Sequence, residues 1–146
     1  MPEKETLRRA RADKRAGKSP STQAGEFVRE EMHHVREGKH GARSTKQAIA
    51  IGLSKARRSG VKLAPPRGAK ASTRRSAAAA TRASRKRSRP SATRSRGVRR
   101  ALKRESHRAA SRKALSRHAK AAARRRSAAS RSASARKAAR TRRQRA

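Results

Sequence analysis

Large apolar residues concentrate between residues 24 and 63, and their spacing there is helical. Ala24, Phe27, Val28, Met32 and Val35 recur at helical intervals, while Glu26, Arg29, Glu30, His33 and Glu37 fall on the other side. Ser19-Pro20 offers an N-cap followed by proline at the first helical position, and Gly38 offers a stop. After the loop Lys39 to Arg43, Ser44-Thr45-Lys46-Gln47 reads as a capping box in which Gln47 reaches back to the cap. Ile49, Gly52, Leu53 and Ala56 then make a narrow stripe that ends at Gly60. Ile51 lies off that stripe and needs a second neighbour. The short loop makes the two helices antiparallel partners, and Gly52 and Ala56 let their backbones approach closely.

The flanks are less well specified. Residues 3–16 predict a weak helix, with Glu3 and Glu5 at its positive end and Gly17 as its stop. Leu7 is its only large apolar residue, so fraying is expected. Pro65-Pro66 predicts a stiff, non-helical break. Residues 67–146 are Ala, Arg, Ser and Lys in low-complexity order, with Val98, Leu102 and Leu115 the only larger apolar residues. The stretch Val98 to Ala129 holds good helix formers and no Pro or Gly. The expected fold is mainly α: a weak helix within 1–18, a small helical hairpin over 19–64, and a long disordered basic tail over 65–146. That tail is expected to turn partly helical once phosphates neutralise its repulsion. The hairpin is marginal alone, so weak self-association through Ile51 and Phe27, or ordering on DNA, is expected to help it.

Charge changes the picture more than any motif. The 146 residues include 46 Lys or Arg and 8 Asp or Glu, a formal net charge of +38. Seven of the eight acids (Glu3, Glu5, Asp13, Glu26, Glu30, Glu31, Glu37) precede Gly38. Residues 1–66 therefore hold 16 basic and 7 acidic side chains, and residues 67–146 hold 30 and 1. Such a tail repels itself unless a polyanion is present. Arg outnumbers Lys, which suits phosphate because the guanidinium makes forked contacts. Binding by counterion release does not depend on base sequence. At one phosphate charge per ~1.7 Å of duplex axis, a tail of net +29 neutralises roughly 50 Å, or about 15 base pairs. Fully extended, 80 residues reach ~260 Å, enough to bridge neighbouring duplexes.

The composition thus points to a non-enzymatic, histone-like protein that coats and compacts double-stranded DNA, cytoplasmic and on a bacterial nucleoid. Structured RNA, including the ribosome, is the alternative. The expected contacts in the tail are Arg74, Arg75, Arg82, Arg85, Lys86, Arg87, Arg89, Arg94, Arg96, Arg99, Arg100, Lys103, Arg104, Arg108, Arg112, Lys113, Arg117, Lys120, Arg124, Arg125, Arg126, Arg131, Arg136, Lys137, Arg140, Arg142, Arg143 and Arg145. Lys46, Lys55, Arg57 and Arg58 of the hairpin are a second set. They act collectively, so no single one is essential.

Other chemistries have weaker support. There is no cysteine, so disulfides and thiolate chemistry are excluded. No apolar run approaches the ~20 residues that span a bilayer, and the tail lacks the apolar anchors of a membrane-surface binder. Single-strand binders stack bases on aromatics, and this chain has only Phe27, expected in the hairpin core. Neither a glycine-rich phosphate loop nor a paired-carboxylate pocket is recognisable, and no folded cleft is expected. Glu30, His33, His34 and Glu37 have i, i+3, i+4, i+7 spacing with His40 nearby, but are expected on a solvated, salt-bridged face, with no metal or cofactor. Glu26, Glu30 and Glu37 are candidates to pair with Lys46, Lys55, Arg57 and Arg58, or with the tail as an autoinhibitory contact. Arg85-x-x-Ser88, Arg108-x-x-Ser111 and Arg124-x-x-Ser127 resemble basophilic kinase sites, where a phosphate weakens binding.

Residues 46–54, Lys-Gln-Ala-Ile-Ala-Ile-Gly-Leu-Ser, with Glu31-Met32-His33 and Lys39-His40-Gly41 upstream, resemble a small uncharacterised bacterial domain family. Its members pair an E-M-x-x-(F/V)-(K/R)-x-G helix with an (R/K)-K-Q-A-I-A-I-(A/G)-L-S helix and often end in basic tails. The resemblance covers roughly residues 22–64 and implies a bacterial origin, with no activity attached. In composition the tail resembles those of bacterial linker-histone-like proteins, with Arg and Ser in place of their Lys-Pro-Ala-Ala repeats.

Overall fold

The computed structural model describes residues 2–66, 68–86 and 91–144, and its regular structure is helical. Seven α-helices occur among the described residues: α1 Lys4–Arg15, α2 Pro20–Arg36, α3 Thr45–Arg58, α4 Ala71–Lys86, α5 Ala92–Lys103, α6 Arg112–Arg124 and α7 Ala128–Arg143, with a 3-10 turn at His107–Ala110. The chain divides into two compact units, Met1–Ser111 and Arg112–Ala146.

The hairpin forms where the apolar spacing predicts it. The Ser19 hydroxyl accepts from the Thr22 amide at 3.4 Å, and Pro20 opens α2. Gly38, at φ +75°, ends it in a conformation other residues adopt with strain. The Ser44 hydroxyl accepts from the Gln47 amide at 3.2 Å, while the Gln47 carboxamide oxygen accepts from the Arg43 amide at 2.7 Å. The capping box is therefore offset by one residue from the expected return to Ser44. Antiparallel α2 and α3 approach so closely at Gly52 that a Cβ there would lie 2.7 Å from Val28 Cα. Phe27 fills the centre with Ala10, Ala24, Ala56 and Val61, and Leu7, Leu53 and Leu63 pack around it.

The first helix is docked rather than frayed. Leu7 and Ala10 join the Phe27 cluster, and the Arg9 Nε donates to Glu26 Oε2 at 2.7 Å. The Glu3 amide donates to Glu30 Oε2 at 3.1 Å, which ties the start of α1 to the middle of α2. One large apolar residue suffices because alanine at 10 permits close approach and ion pairs hold the rim.

The expected disordered tail is contradicted: α4 to α7 are helices, and α4 and the 3-10 turn pack on the hairpin. Alanine and arginine rank among the best helix formers, and serines cap the segments. The Ser127 hydroxyl accepts from the Ser130 amide at 3.2 Å at the head of α7, and Ser106 accepts from Arg108 at 3.1 Å before the 3-10 turn. In place of large side chains, packing uses small ones. Ala77 and Ala80 of α4 are buried as that helix lies on α3, and Ala109 and Ala110 are buried against the hairpin.

The docking of residues 102–110 is largely a backbone affair. The Gly41 amide donates to the Leu102 carbonyl at 2.9 Å and the Ala42 amide to Ser106 at 3.1 Å. The Thr45 hydroxyl donates to the Ala109 carbonyl at 2.7 Å, and Arg36 Nε to the Ala110 carbonyl at 2.8 Å. Ile51 is half-buried and borders, together with Val98 and Leu102 of α5, a cavity of about 510 Å³. In the second unit, α6 and α7 bury no residue. At ~1.5 Å per residue a helical tail also spans far less than the extended chain anticipated from sequence.

Candidate nucleic-acid interface

The described tail cations are carried on helical surfaces and face water. Arg74, Arg75, Arg82 and Arg85 of α4 are exposed, opposite the buried Ala77 and Ala80. So are Arg94, Arg96, Arg99, Arg100 and Lys103 of α5, followed by Arg104 and Arg108. In the second unit Arg112, Lys113, Arg117, Lys120 and Arg124 on α6, Arg125 and Arg126 in the connection, and Arg131, Arg136, Lys137, Arg140, Arg142 and Arg143 on α7 are all exposed. The side chain of Lys86, together with Arg87, Ser88, Arg89 and Arg145, lies outside the described residues. Several guanidinium groups rest on local oxygens: Arg126 donates to the Ser130 carbonyl at 2.8 Å, and Arg74 to that of Ala69 at 3.0 Å. Among the described residues, no ion pair joins a cation beyond residue 66 to an acid, and the acids of the hairpin pair with cations of residues 1–66.

The hairpin set divides. Lys46 and Arg58 are exposed and available to phosphate. Arg57 is buried, donating to the carbonyls of Leu63 at 3.0 Å and Ala64 at 3.5 Å, so it fastens the chain after α3. Lys55 turns inward, 2.6 Å from Glu31 Oε2 and 3.4 Å from Glu30 Oε1. Both are structural cations: the pairing of Lys55 with Glu30 is among those anticipated from sequence, whereas the contact of Lys55 with Glu31 and the carbonyl partners of Arg57 are not.

The acids are correspondingly internal. Glu26 pairs with Arg9 at 2.7 Å and Arg29 at 3.8 Å, Glu30 with Lys55, and Glu37 with His33 at 2.9 Å and Lys39 at 3.1 Å. None of the three meets the tail. Glu3 is held in the ionised form, its pKa lowered to about 2 by hydrogen bonds from His34 and then Lys39. Glu37 is also lowered, first by the hydrogen bond from Lys39, whose own pKa is raised by Glu37 and Glu3.

Two expectations about the hairpin's polar residues are corrected. Glu30 and His34 are buried rather than on a solvated face, as is the neighbouring Glu31, and only the His33–Glu37 pair is exposed as predicted. A folded cavity exists as well: the 510 Å³ space is bordered by Glu31, His34 and His40 on one side and by Arg94, Arg99 and Lys103 of α5 on another. Phe27, 1 % exposed, is unavailable for base stacking. No helix among the described residues is long and apolar enough to cross a membrane.

No curated protein and no solved structure matches the chain. Residues 11–68, which contain the whole α2–α3 hairpin and its closing segment, match a family of unknown function (DUF6496).

Proposed function

We propose that this protein is a histone-like, non-enzymatic DNA-binding protein that neutralises duplex phosphates without reading base sequence, working on the nucleoid of a bacterial cell. The observation that carries this reading is the exposed surface of residues 68–144, whose single acid is Glu105 and on which every described cation expected to meet nucleic acid faces solvent except Lys86, whose side chain is not described. Cations around helical rods suit the regular phosphate spacing of a duplex, and α7 alone is about 24 Å long at ~1.5 Å per residue. The two compact units offer two attachment points, so compaction proceeds by bridging between units rather than by an extended chain. Base readout requires side chains presented to groove edges in a defined constellation, and a scatter of phosphate-seeking arginines serves positioning instead.

The test is competitive binding of the full-length protein to duplex DNA of several sequences and to structured RNA across a salt series. Duplex sequences are expected to bind within about threefold of one another, with affinity falling steeply and linearly in log–log form as salt rises. Structured RNA winning by tenfold or more near physiological salt moves the protein to an RNA- or ribosome-associated role. A preference above thirtyfold for one duplex sequence overturns the coating reading.

A further inference from the structure

Glu31 of α2 is fully buried, and its surroundings are unusual for a carboxylate that merely closes a salt bridge. Lys55 Nζ stands 2.6 Å from Oε2 and His40 Nε2 stands 3.2 Å from Oε1, yet neither oxygen receives a hydrogen bond of acceptable geometry. Charge compensation is present while the directional contacts a buried carboxylate needs are incomplete. His34 follows Glu31 by three residues on the same helix and is also buried. One ligand atom from each of Glu31, His34 and His40 lies within 4.8 Å of the other two.

Both imidazoles are held from behind. His34 Nε2 lies 2.8 Å from Glu3 Oε1, and His40 Nδ1 lies 3.0 Å from the Gly41 carbonyl. With the ring proton on the nitrogen that faces each acceptor, the lone pairs fall on His34 Nδ1 and His40 Nε2. Those are the nitrogens turned toward Glu30 Oε1, at 4.0 Å, and Glu31 Oε1, at 3.2 Å. Lone pairs then face carboxylate oxygens, an arrangement that a cation between them resolves. Carboxylate and carbonyl groups gripping the outer nitrogen are the usual supports of metal-binding histidines. At zinc–ligand bonds of ~2.0–2.1 Å, neighbouring tetrahedral ligands lie about 3.3 Å apart, close to the separation of His40 Nε2 and Glu31 Oε1.

We propose that Glu31, His34 and His40 form a site for one divalent transition-metal ion of the zinc class. Glu31 contributes Oε1 while Lys55 stays on Oε2, and Glu3 and Gly41 orient the two rings. Two imidazoles with one carboxylate select zinc, cobalt or nickel over calcium and magnesium, which prefer all-oxygen sites. A fourth coordination position opens toward the 510 Å³ cavity, where water or an anionic group completes the shell. The ligands and supports come from the residue before α1, from α2 and from the α2–α3 loop, so the ion cross-braces three separate segments.

The test is titration of the full-length, metal-free protein with zinc alone by calorimetry, and with cobalt by visible absorption. One ion per chain is expected, with intense tetrahedral cobalt bands and a rise in thermal midpoint that EDTA reverses. His34→Ala and His40→Ala are each expected to weaken zinc binding at least tenfold. His33→Ala is the control, since His33 and Glu37 form an exposed pair with its own weak metal-binding spacing, and it is expected to leave affinity within twofold. Failure of the helical, metal-free parent to bind zinc overturns the proposal, as does a His34→Ala/His40→Ala double variant that binds like the parent. Should a variant lose its helical circular dichroism, the cobalt spectrum and stoichiometry of the parent decide alone: weak octahedral bands or sub-stoichiometric uptake overturn the site.

Discussion

Gly41 and Glu105 meet backbone to backbone: a Cβ built on Gly41 would lie 1.8 Å from the Glu105 carbonyl oxygen. No side chain stands on either side to yield, so the contact is a steric gate for docking residues 102–110 on the hairpin loop. Gly41→Ala is expected to destabilise that segment by about 1–3 kcal/mol, in the range of overpacked positions that cannot relax. Limited proteolysis should then cut between residues 102 and 110 while α2 and α3 remain protected. An unchanged cleavage pattern would show that the gate is not closed in solution.

Collective binding has a measurable slope. Replacing Arg136, Lys137, Arg140, Arg142 and Arg143 of α7 by Gln removes five exposed cations without disturbing a buried residue. If all five neutralise phosphates, the log–log salt slope falls in magnitude by about 4.5, at ~0.9 per contact on duplex DNA. Arg57→Gln should leave the slope unchanged and lower thermal stability instead, because its guanidinium serves the carbonyls of Leu63 and Ala64. Equal slopes in parent and α7 variant would remove that helix from the interface.

Acid should loosen the first helix. The Glu3 pKa is lowered from its ordinary 4.5 to about 2, so its contribution is fully present above pH ~4.5 and is lost as pH falls toward 2. Thermal midpoints measured from pH 5 to pH 2 should fall in the parent and fall less steeply in Glu3→Gln. Because the carboxylate is exposed, added salt should narrow the difference. Parallel curves for the two proteins would assign the acid sensitivity to other carboxylates, with Glu37 the next to examine.

Helix content without nucleic acid separates two views of the tail. The helices account for roughly two-thirds of the chain, whereas α1 to α3 alone account for about 30 %. Circular dichroism of the free protein in physiological salt should match the larger value, with little gain on adding duplex. A spectrum near the smaller value, rising on DNA, would confine intrinsic order to residues 4–58.

The hairpin was legible because Phe27, Val28, Met32, Val35, Ile49 and Leu53 carry its period, and Ser19, Gly38, Ser44 and Gly60 punctuate it. Ile51, off the stripe, borders the cavity between the hairpin and α5, whose position the period does not name. The tail was read as disordered because burial by alanine leaves no large-residue period. Its attachments also run through the carbonyls of Leu102, Ser106, Ala109 and Ala110, which any residue possesses. The candidate metal cluster was missed for a related reason. The period of α2 sorts its residues between one apolar face and one polar face, yet α1 and the α2–α3 loop enclose the polar side. Glu30, Glu31 and His34 were therefore covered by segments whose positions the period did not reveal. Of the candidate interface, the charge was legible in full and so was the pairing of Lys55 with Glu30; the burial of Arg57 on backbone carbonyls was not.

A clasp made by peptide carbonyls has an evolutionary consequence. For this attachment, side-chain identity at Leu102, Ala109 and Ala110 is constrained only by size, since their hydrogen-bonding atoms are common to every residue, while Ser106 also caps the following turn. Lineages can therefore drift through this stretch, exchanging one small residue for another, while the attachment persists. The hairpin's half of the clasp is less free, because Gly41 must stay bare and Thr45 and Arg36 must donate. Selection on the same joint thus leaves a readable trace on one partner and almost none on the other.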